Sequence, residues 1–228
     1  DDERRTLMLA GVAGGIGGIE TRSWLFAKSL AQRDDFDVSF MVRHTKTILQ
    51  DEYEGVKILP VYDRFNPLRT EVSRNVTRKS GFPGVRFKKY DFKFLWQIPL
   101  LLAAELFRPS FYSRTAPATP SKLYTCLEAD ILVTFGVSEL SAAVVASAQH
   151  AGKKSVLFLA HDMDLDERYR SDSDFVNKYN DSAACCYFAI QNVDQIVVQT
   201  IEQRKLLKTR FDRDGILIKN PIDMDQWD

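Results

Sequence analysis

A glycine-rich segment at residues 6–20, T-L-M-L-A-G-V-A-G-G-I-G-G-I-E, sets the narrowest limits on how this chain can fold. An apolar run at 6–10 precedes five glycines within eight residues, and apolar residues at helical spacing follow over 19–30. This order predicts a strand, a tight turn and a helix. Glycine allows close approach to the backbone, and a helix start offers unpaired N–H groups and a positive dipole end. The segment therefore predicts a phosphate-binding turn.

The spacing of these glycines matches neither of two common phosphate-binding motifs. No glycine of the segment precedes the Lys that a Walker loop requires. The dinucleotide fingerprint needs Gly or Ala three residues after G-x-G, where this chain has Glu20 after Gly15-Ile16-Gly17. Two interpretations stay open: an atypical anion site, or a turn whose glycines only let the helix and strand pack closely.

Apolar runs of strand length alternate with helical patterns over most of the remaining chain. We predict strands at 37–42, 56–61, 130–135, 155–160, 195–199 and 215–219, and helices at 19–32, 139–149, 173–192 and 201–211. Ser138 and Thr200 precede two of these helices as N-caps. The alternation predicts an α/β fold, a doubly wound Rossmann-like parallel sheet of about seven strands with helices on both faces.

Residues 62–128 interrupt this pattern and predict a mainly helical or irregular insertion without a strand. Between residues 62 and 93, nine basic residues face three acidic ones, and aromatic residues are interleaved with them. Over 62–107 such a composition favours an anionic membrane surface or an anionic partner, and a solvated loop is an equal alternative. Aromatic and basic residues also stack on RNA bases, but no RNA-binding motif is present, so we expect no nucleic-acid partner.

Composition limits the class of protein further. The chain has 228 residues and a formal net charge of zero. Its three cysteines lack zinc spacing, and this low, odd number of cysteines favours a cytoplasmic, reducing compartment. The apolar stretch at 94–107 is too interrupted to span a bilayer. The acidic run at 162–166 fails as a calcium loop, because Glu167 stands at the sixth position, and we interpret it as a solvated loop.

Four segments together resemble family 4 glycosyltransferases of the GT-B fold. G-G-I-E at 17–20 resembles that family's G-G-x-E turn, and a strand ending in His161 resembles its strand ending in histidine. D-Q-I-V-V-Q-T at 194–200 resembles its A-D-x-I-I-x-x-S segment, and K-N-P-I-D at 219–223 resembles P-N-G-V-D, with Pro221 in place of Gly. The resemblance covers both ends of the chain and leaves the insertion unmatched.

The resemblance implies a single Rossmann-like domain over 1–228, the N-terminal, acceptor-side half of a retaining glycosyltransferase. The nucleotide-sugar donor would be shared with a C-terminal domain absent from this chain. The acceptor would be a glycan, a lipid-linked glycan or a small molecule, and no metal or other cofactor is required. The isolated domain would be inactive, and the enzyme would be cytoplasmic or peripheral on the cytoplasmic face of a membrane.

The site residues that this implies are expected at one edge of the sheet, because ligands bind at the carboxyl ends of parallel strands. His161 is the catalytic candidate, and Gly15, Gly17 and Gly18 are the donor-binding candidates. The acceptor-binding candidates are Glu20, Arg22, Gly136, Ser138, Asp162 and Asn220. Glu20 would equally serve as a first-turn carboxylate that offsets the helix dipole.

Two other classes of protein compete with this interpretation. A non-catalytic Rossmann-like module would bind an anionic ligand in the same crevice. A nicotinamide-dependent oxidoreductase is disfavoured, because the fingerprint is broken and Arg43-His44 stand where an acidic residue would close the second strand.

Overall fold

The computed structural model describes residues 5–11, 18–44, 51–62, 65, 67–68, 76–78, 85–87, 96, 99, 111–113 and 115–220. Its strands are β1 (Arg5–Gly11), β2 (Phe36–His44), β3 (Glu52–Tyr53), β4 (Val56–Tyr62), β5 (Val76–Arg78), β6 (Val85–Phe87), β7 (Ile131–Phe135), β8 (Lys154–Phe158), β9 (Gln195–Val198) and β10 (Ile216–Leu217). Its α-helices are α1 (Gly18–Ala31), α2 (Lys122–Thr125), α3 (Glu139–His150), α4 (Ala183–Asn192) and α5 (Ile201–Phe211), with a 3₁₀ helix at Asp162–Leu165.

The main sheet has the strand order β10-β9-β8-β7-β1-β2-β4-β3. Strand β1 lies inside it, and Leu9 stands opposite Phe40 of β2 and Val133 of β7. Neighbouring strands run parallel except β3, which is antiparallel to β4. The predicted Rossmann-like parallel sheet is therefore confirmed, and it has seven parallel strands in the part of the chain that the structure describes.

Helices cover both faces of the sheet. Successive strand residues point to opposite faces, so each strand contributes side chains to both layers. Phe158 packs with Ala27 on the α1 face. Leu157, its neighbour in β8, packs on the other face with Ile190 of α4 and Leu207 of α5. The burial of each large side chain among these, Phe158, Leu157, Ile190 and Leu207, contributes about 1.5–3 kcal/mol to folding. The two apolar layers fix the strand ends in space and so position the residues that follow them.

Two predictions of secondary structure differ from the structure. The helix predicted over 173–192 begins only at Ala183, because the Asn177 Oδ1 atom accepts hydrogen bonds from the backbone N–H groups of Tyr179 and Asp181. Such side-chain bonds compete with helix formation, and Asn180 has a φ of +76°. The insertion, predicted to lack strands, contains the antiparallel pair β5 and β6, whose three-residue strands are too short for a periodic pattern.

Asp194 ties together the first residues of β8 and β9. Its Oδ2 atom accepts from the amide (2.9 Å) and hydroxyl (2.8 Å) of Ser155, and its Oδ1 atom lies 3.2 Å from Nζ of Lys154. Burial acts to raise the pKa of Asp194, but the Ser155 and Lys154 contacts lower it, and the net pKa lies below its usual value.

We expect Asp194→Asn to lower the free energy of unfolding at pH 7 by about 1 kcal/mol. Because the folded-state pKa is depressed, the carboxylate stabilises the fold above the unfolded pKa of about 3.9 and loses that effect as pH falls through the folded pKa. Urea denaturation at pH 7 and pH 3 measures this, with the exposed Asp172→Asn as control. An equal difference between wild type and Asp194→Asn at both pH values would contradict the prediction.

Candidate functional site

The start of α1 meets the carboxyl ends of β7 and β8 at one edge of the sheet. Gly136 follows β7 with a φ of +76°, a conformation that favours glycine, and its N–H donates to the Phe158 carbonyl (2.8 Å). A methyl group added to Gly136 would lie 3.8 Å from Cβ of Ala160 and 3.9 Å from Cδ1 of Ile19. The predicted crevice residues of α1, β7 and β8 are therefore neighbours.

His161 lies at this edge, beyond the end of β8, and pairs with a buried carboxylate. Its Nδ1 atom is 3.1 Å from Oδ1 of Asp164, and the His161 side chain is 38% exposed. The distance is within that of an ion pair, although Nδ1 is buried and makes no hydrogen bond. The Nδ1 atom of the imidazole is therefore buried beside Asp164, and the rest of the side chain is partly exposed to solvent.

Asp164 is only 2% exposed, and backbone amides surround its carboxylate. Its Oδ2 atom accepts from the N–H groups of Ala160 (2.6 Å) and His161 (3.4 Å), and the N–H of Val137 also bonds the carboxylate. Burial raises the pKa of Asp164, while the His161 charge and the amides act in the opposite direction. The prediction of a solvated acidic loop at 162–166 is therefore wrong for Asp164, because the 3₁₀ helix turns this carboxylate inward to cap strand-end amides.

Tyr179 forms a second contact of the imidazole, which the sequence did not indicate. The Tyr179 and His161 rings stack with centroids 6.0 Å apart at 17°, and Tyr179 is 57% exposed. Asn177 fixes this loop, since its Nδ2 atom donates to the hydroxyl of the buried Tyr169 (3.1 Å). The ring of Tyr179 is therefore an exposed aromatic wall beside His161. A polar loop inside a region that resembled a helix gave no signal for it.

Arg22 lies on the inner side of α1 and is 6% exposed. Its Nη1 atom donates to the Leu159 carbonyl (2.7 Å), and its guanidinium lies 5.2 Å from the ring centroid of Phe158. The predicted acceptor-binding residue thus reaches the carboxyl end of β8 from the face opposite α4.

The start of α3 is already capped by side chains of the chain itself. Ser138 and Ser141 form a capping box, in which the Ser138 hydroxyl accepts from the Ser141 amide (3.3 Å). The Asp181 Oδ1 atom accepts from the amide of Glu139 (3.1 Å), and the Glu139 Oε1 atom accepts from the amide of Ser182 (3.2 Å). The Ser138 hydroxyl therefore has a structural contact, and its acceptor-binding role stays a prediction.

The remaining candidates lie around this edge. Gly18 is the first residue of α1, and Glu20 lies half-buried in the first turn. Asp162 and Asn220 are exposed, and Asn220 follows β10, two strands from β8. The donor-binding candidates Gly15 and Gly17 lie outside the described residues.

The acidic run at 162–166 does not converge on one point. Asp164 points inward, whereas Asp166 pairs with Arg168 (2.6 Å), which lowers the pKa of Asp166. No cluster of three metal-ligating side chains occurs within the described ranges.

Most of the predicted membrane contact at 62–107 lies outside those ranges. Trp96, which the structure describes, is 77% exposed. None of the helices in the described part is both long and apolar enough to cross a bilayer.

This architecture is that of the Rossmann-like, N-terminal half of the GT-B fold. LpCGTa in complex with UDP is a similar solved structure, with a TM-score of 0.52 and 10% identity over 96% of this chain and 53% of its own. TcCGT1 with UDP (TM-score 0.48, 10% identity, 95% and 50% covered) and Arabidopsis thaliana UGT89C1 with UDP (0.47, 15%, 97% and 50%) are also similar.

The chain spans about half the length of these three structures. At such identities the likeness shows the fold alone, and of the three only LpCGTa has a TM-score above 0.5, so the comparison depends on it. No protein-family model matches the chain, and no curated protein matches its sequence. The resemblance to family 4 glycosyltransferases therefore stays a prediction.

Proposed function

We propose that this chain is the N-terminal, acceptor-side half of a glycosyltransferase that uses a nucleotide-sugar donor. The observation that carries the proposal is the pair of His161 and buried Asp164, 3.1 Å apart, at the ligand-binding edge of a GT-B-type sheet. The pair supplies a partly exposed group that can hold a proton at a fixed position. Glycosyl transfer needs such a group, because charge develops at the sugar and on the leaving phosphate.

In this proposal Asp164 orients the imidazole of His161. A carboxylate behind Nδ1 favours a proton there, which leaves Nε2 for the sugar or its leaving oxygen. Asp164 is thus a positioning residue, and His161 touches the substrate. The exposed ring of Tyr179 would form the adjacent wall, against which the apolar face of a sugar ring can pack.

The rest of the proposal follows the family resemblance. A second domain, absent from this chain, would hold the nucleotide, and Gly15, Gly17 and Gly18 would face its phosphates. Glu20, Arg22, Gly136, Ser138, Asp162 and Asn220 would line the acceptor side. Residues 62–107 would contribute to acceptor choice or contact a membrane from the cytoplasmic side, and transfer would retain the anomeric configuration without a metal.

A screen of UDP-, GDP- and ADP-sugars against the full-length protein tests the proposal. We expect release of nucleoside diphosphate from at least one donor, and NMR of the glycosylated product reports its anomeric configuration. A protein that binds nucleotides and turns over none of these donors would instead be the non-catalytic binding module.

Residues 1–228 alone are expected to transfer no sugar, since the donor site would be only half present. The measurement is the same screen on this fragment, with mixing of a separately expressed second domain as the control for a productive fold. Turnover by the fragment alone would contradict the division of labour between the two domains.

A further inference from the structure

Among the described residues, no carboxylate pairs with the buried guanidinium of Arg22. Arg22 is 6% exposed, and while Nη1 donates to the Leu159 carbonyl, the buried Nη2 atom has no hydrogen-bond partner. Burial lowers the pKa of Arg22, and no charged neighbour contributes to that shift. Glu20 lies two positions earlier in α1, a spacing at which helical side chains do not face each other. A charge in this state destabilises the fold unless something else pairs with it.

Arg213 shows how this chain pairs a purely structural arginine. Its two Nη atoms donate to the backbone carbonyls of Gln191 and Val193, so both ends of the fork are satisfied. In Arg22 only Nη1 makes a hydrogen bond, and Nη2 makes none. The Leu159 carbonyl that accepts from Nη1 also accepts from Nε2 of Gln199. A purely structural role, in which Arg22 links α1 to the end of β8, explains the hydrogen bond of Nη1. It does not explain why the buried Nη2 atom has no partner.

The position of Arg22 in the fold points to a ligand for its unpaired Nη2 atom. It lies one turn inside α1, whose first residue is Gly18, and its Nη1 contact is at the carbonyl two residues before His161. The positive dipole end of a 14-residue helix and a guanidinium therefore act on the same edge of the sheet. Arginine pairs with phosphate through a planar fork of N–H donors.

We propose that Arg22 binds a phosphate group of the ligand at this edge. The inference rests on the proposed function, since it names the chemistry that the same site would recognise. The phosphate would belong either to the donor diphosphate or to a phosphorylated acceptor, two sources that share this chemistry. Because Nη2 is buried, binding requires a local shift of the groups that cover it.

Calorimetric titration of the full-length protein with inorganic pyrophosphate, UDP and octyl phosphate tests the inference. We expect Arg22→Met to weaken pyrophosphate binding by about tenfold or more, the effect of losing a charge-assisted hydrogen bond. We also expect Arg22→Met to have a Tm no lower than wild type without ligand, since an unpaired buried charge is removed. Arg213→Met, the matched control, should lower the Tm and leave pyrophosphate binding unchanged.

The other probes separate the two sources of the phosphate. A loss confined to pyrophosphate and UDP assigns Arg22 to the donor, and a loss that includes octyl phosphate but spares UDP assigns it to the acceptor. Wild-type affinity for all three probes in Arg22→Met, or no binding of any probe to the wild type, would overturn the inference.

If Arg22→Met does not fold, the wild type still decides. The Nε–Hε resonance of Arg22, observed in protein labelled with [15N]arginine, should shift on addition of pyrophosphate, and a stationary resonance overturns the inference. A phosphate-binding protein without sugar transfer would refute the proposed function alone. An active transferase with normal phosphate binding in Arg22→Met would refute this inference alone.

Discussion

His161→Ala is expected to lower glycosyl transfer by the full-length protein by about 100- to 10,000-fold, the usual contribution of a positioned proton-transfer group. The fold should survive, because the side chain is 38% exposed and contacts Asp164 and the exposed Tyr179 rather than the apolar core. Its loss leaves Asp164 with its backbone amide donors. The expected change in the free energy of unfolding is no more than about 1 kcal/mol.

Turnover and urea denaturation of the same preparation measure the two effects, with the donor identified by the screen. The control is His150→Ala, which removes an exposed histidine at the end of α3 and should change neither quantity. Wild-type turnover in His161→Ala would remove the observation on which the proposed function depends. Equal losses of turnover and stability would assign His161 a structural role.

Asp164→Ala is expected to lower the free energy of unfolding by about 3 kcal/mol, because buried amides lose their acceptor. The amides of Ala160, His161 and Val137 would be left without this carboxylate, and His161 would lose the group that orients it. Turnover should therefore fall together with stability, and urea denaturation and the transfer assay measure both.

Asp164→Asn separates these two consequences. Its Oδ1 atom can still accept from the strand-end amides, so we expect a smaller loss of stability than in Asp164→Ala. Its Nδ2 group would face Nδ1 of His161 and favour the tautomer with the proton on Nε2, so turnover should still fall about 100-fold or more. Normal turnover in Asp164→Asn would show that Asp164 only caps the strand ends.

The same variant has an expected pH signature. Burial raises the pKa of Asp164, so the folded chain keeps this proton to a higher pH than the unfolded chain, whose value is about 3.9. The contribution of Asp164 to stability is then fully present below pH 3.9 or so and decreases as pH rises through the folded pKa. The stability advantage of wild type over Asp164→Asn should therefore shrink as pH rises above about 4.

The sequence predicted those elements whose local signals and tertiary environment agree. Ser138 and Thr200 cap α3 and α5 as expected, and α5 begins and ends at the predicted residues, Ile201–Phe211. The failure at 173–182 has a local cause, since the side chain of Asn177 bonds the backbone that a helix would use. Apolar periodicity does not report such a competition.

The candidate site was predictable to the level of the sheet edge. The end of a strand placed His161 at the edge where the carboxyl ends of the parallel strands meet, which is where ligands usually bind in such sheets. The burial of Asp164 was missed, although its spacing of three from His161 at a helix start is that of a capping box, a usable signal. The stacking of Tyr179 depends on the path of a loop, which no short-range pattern determines.

The capping of α3 gives the crevice a polarity. Asp181 and Glu139 place two carboxylates at the α3 start, whereas α1 brings the guanidinium of Arg22, which Glu20 does not face. In the described part of the chain, the α3 start is therefore acidic, while the inner side of α1 carries a cation. A molecule with one anionic and one uncharged end is expected to enter in a single orientation, with its anionic end toward α1 and away from the α3 start.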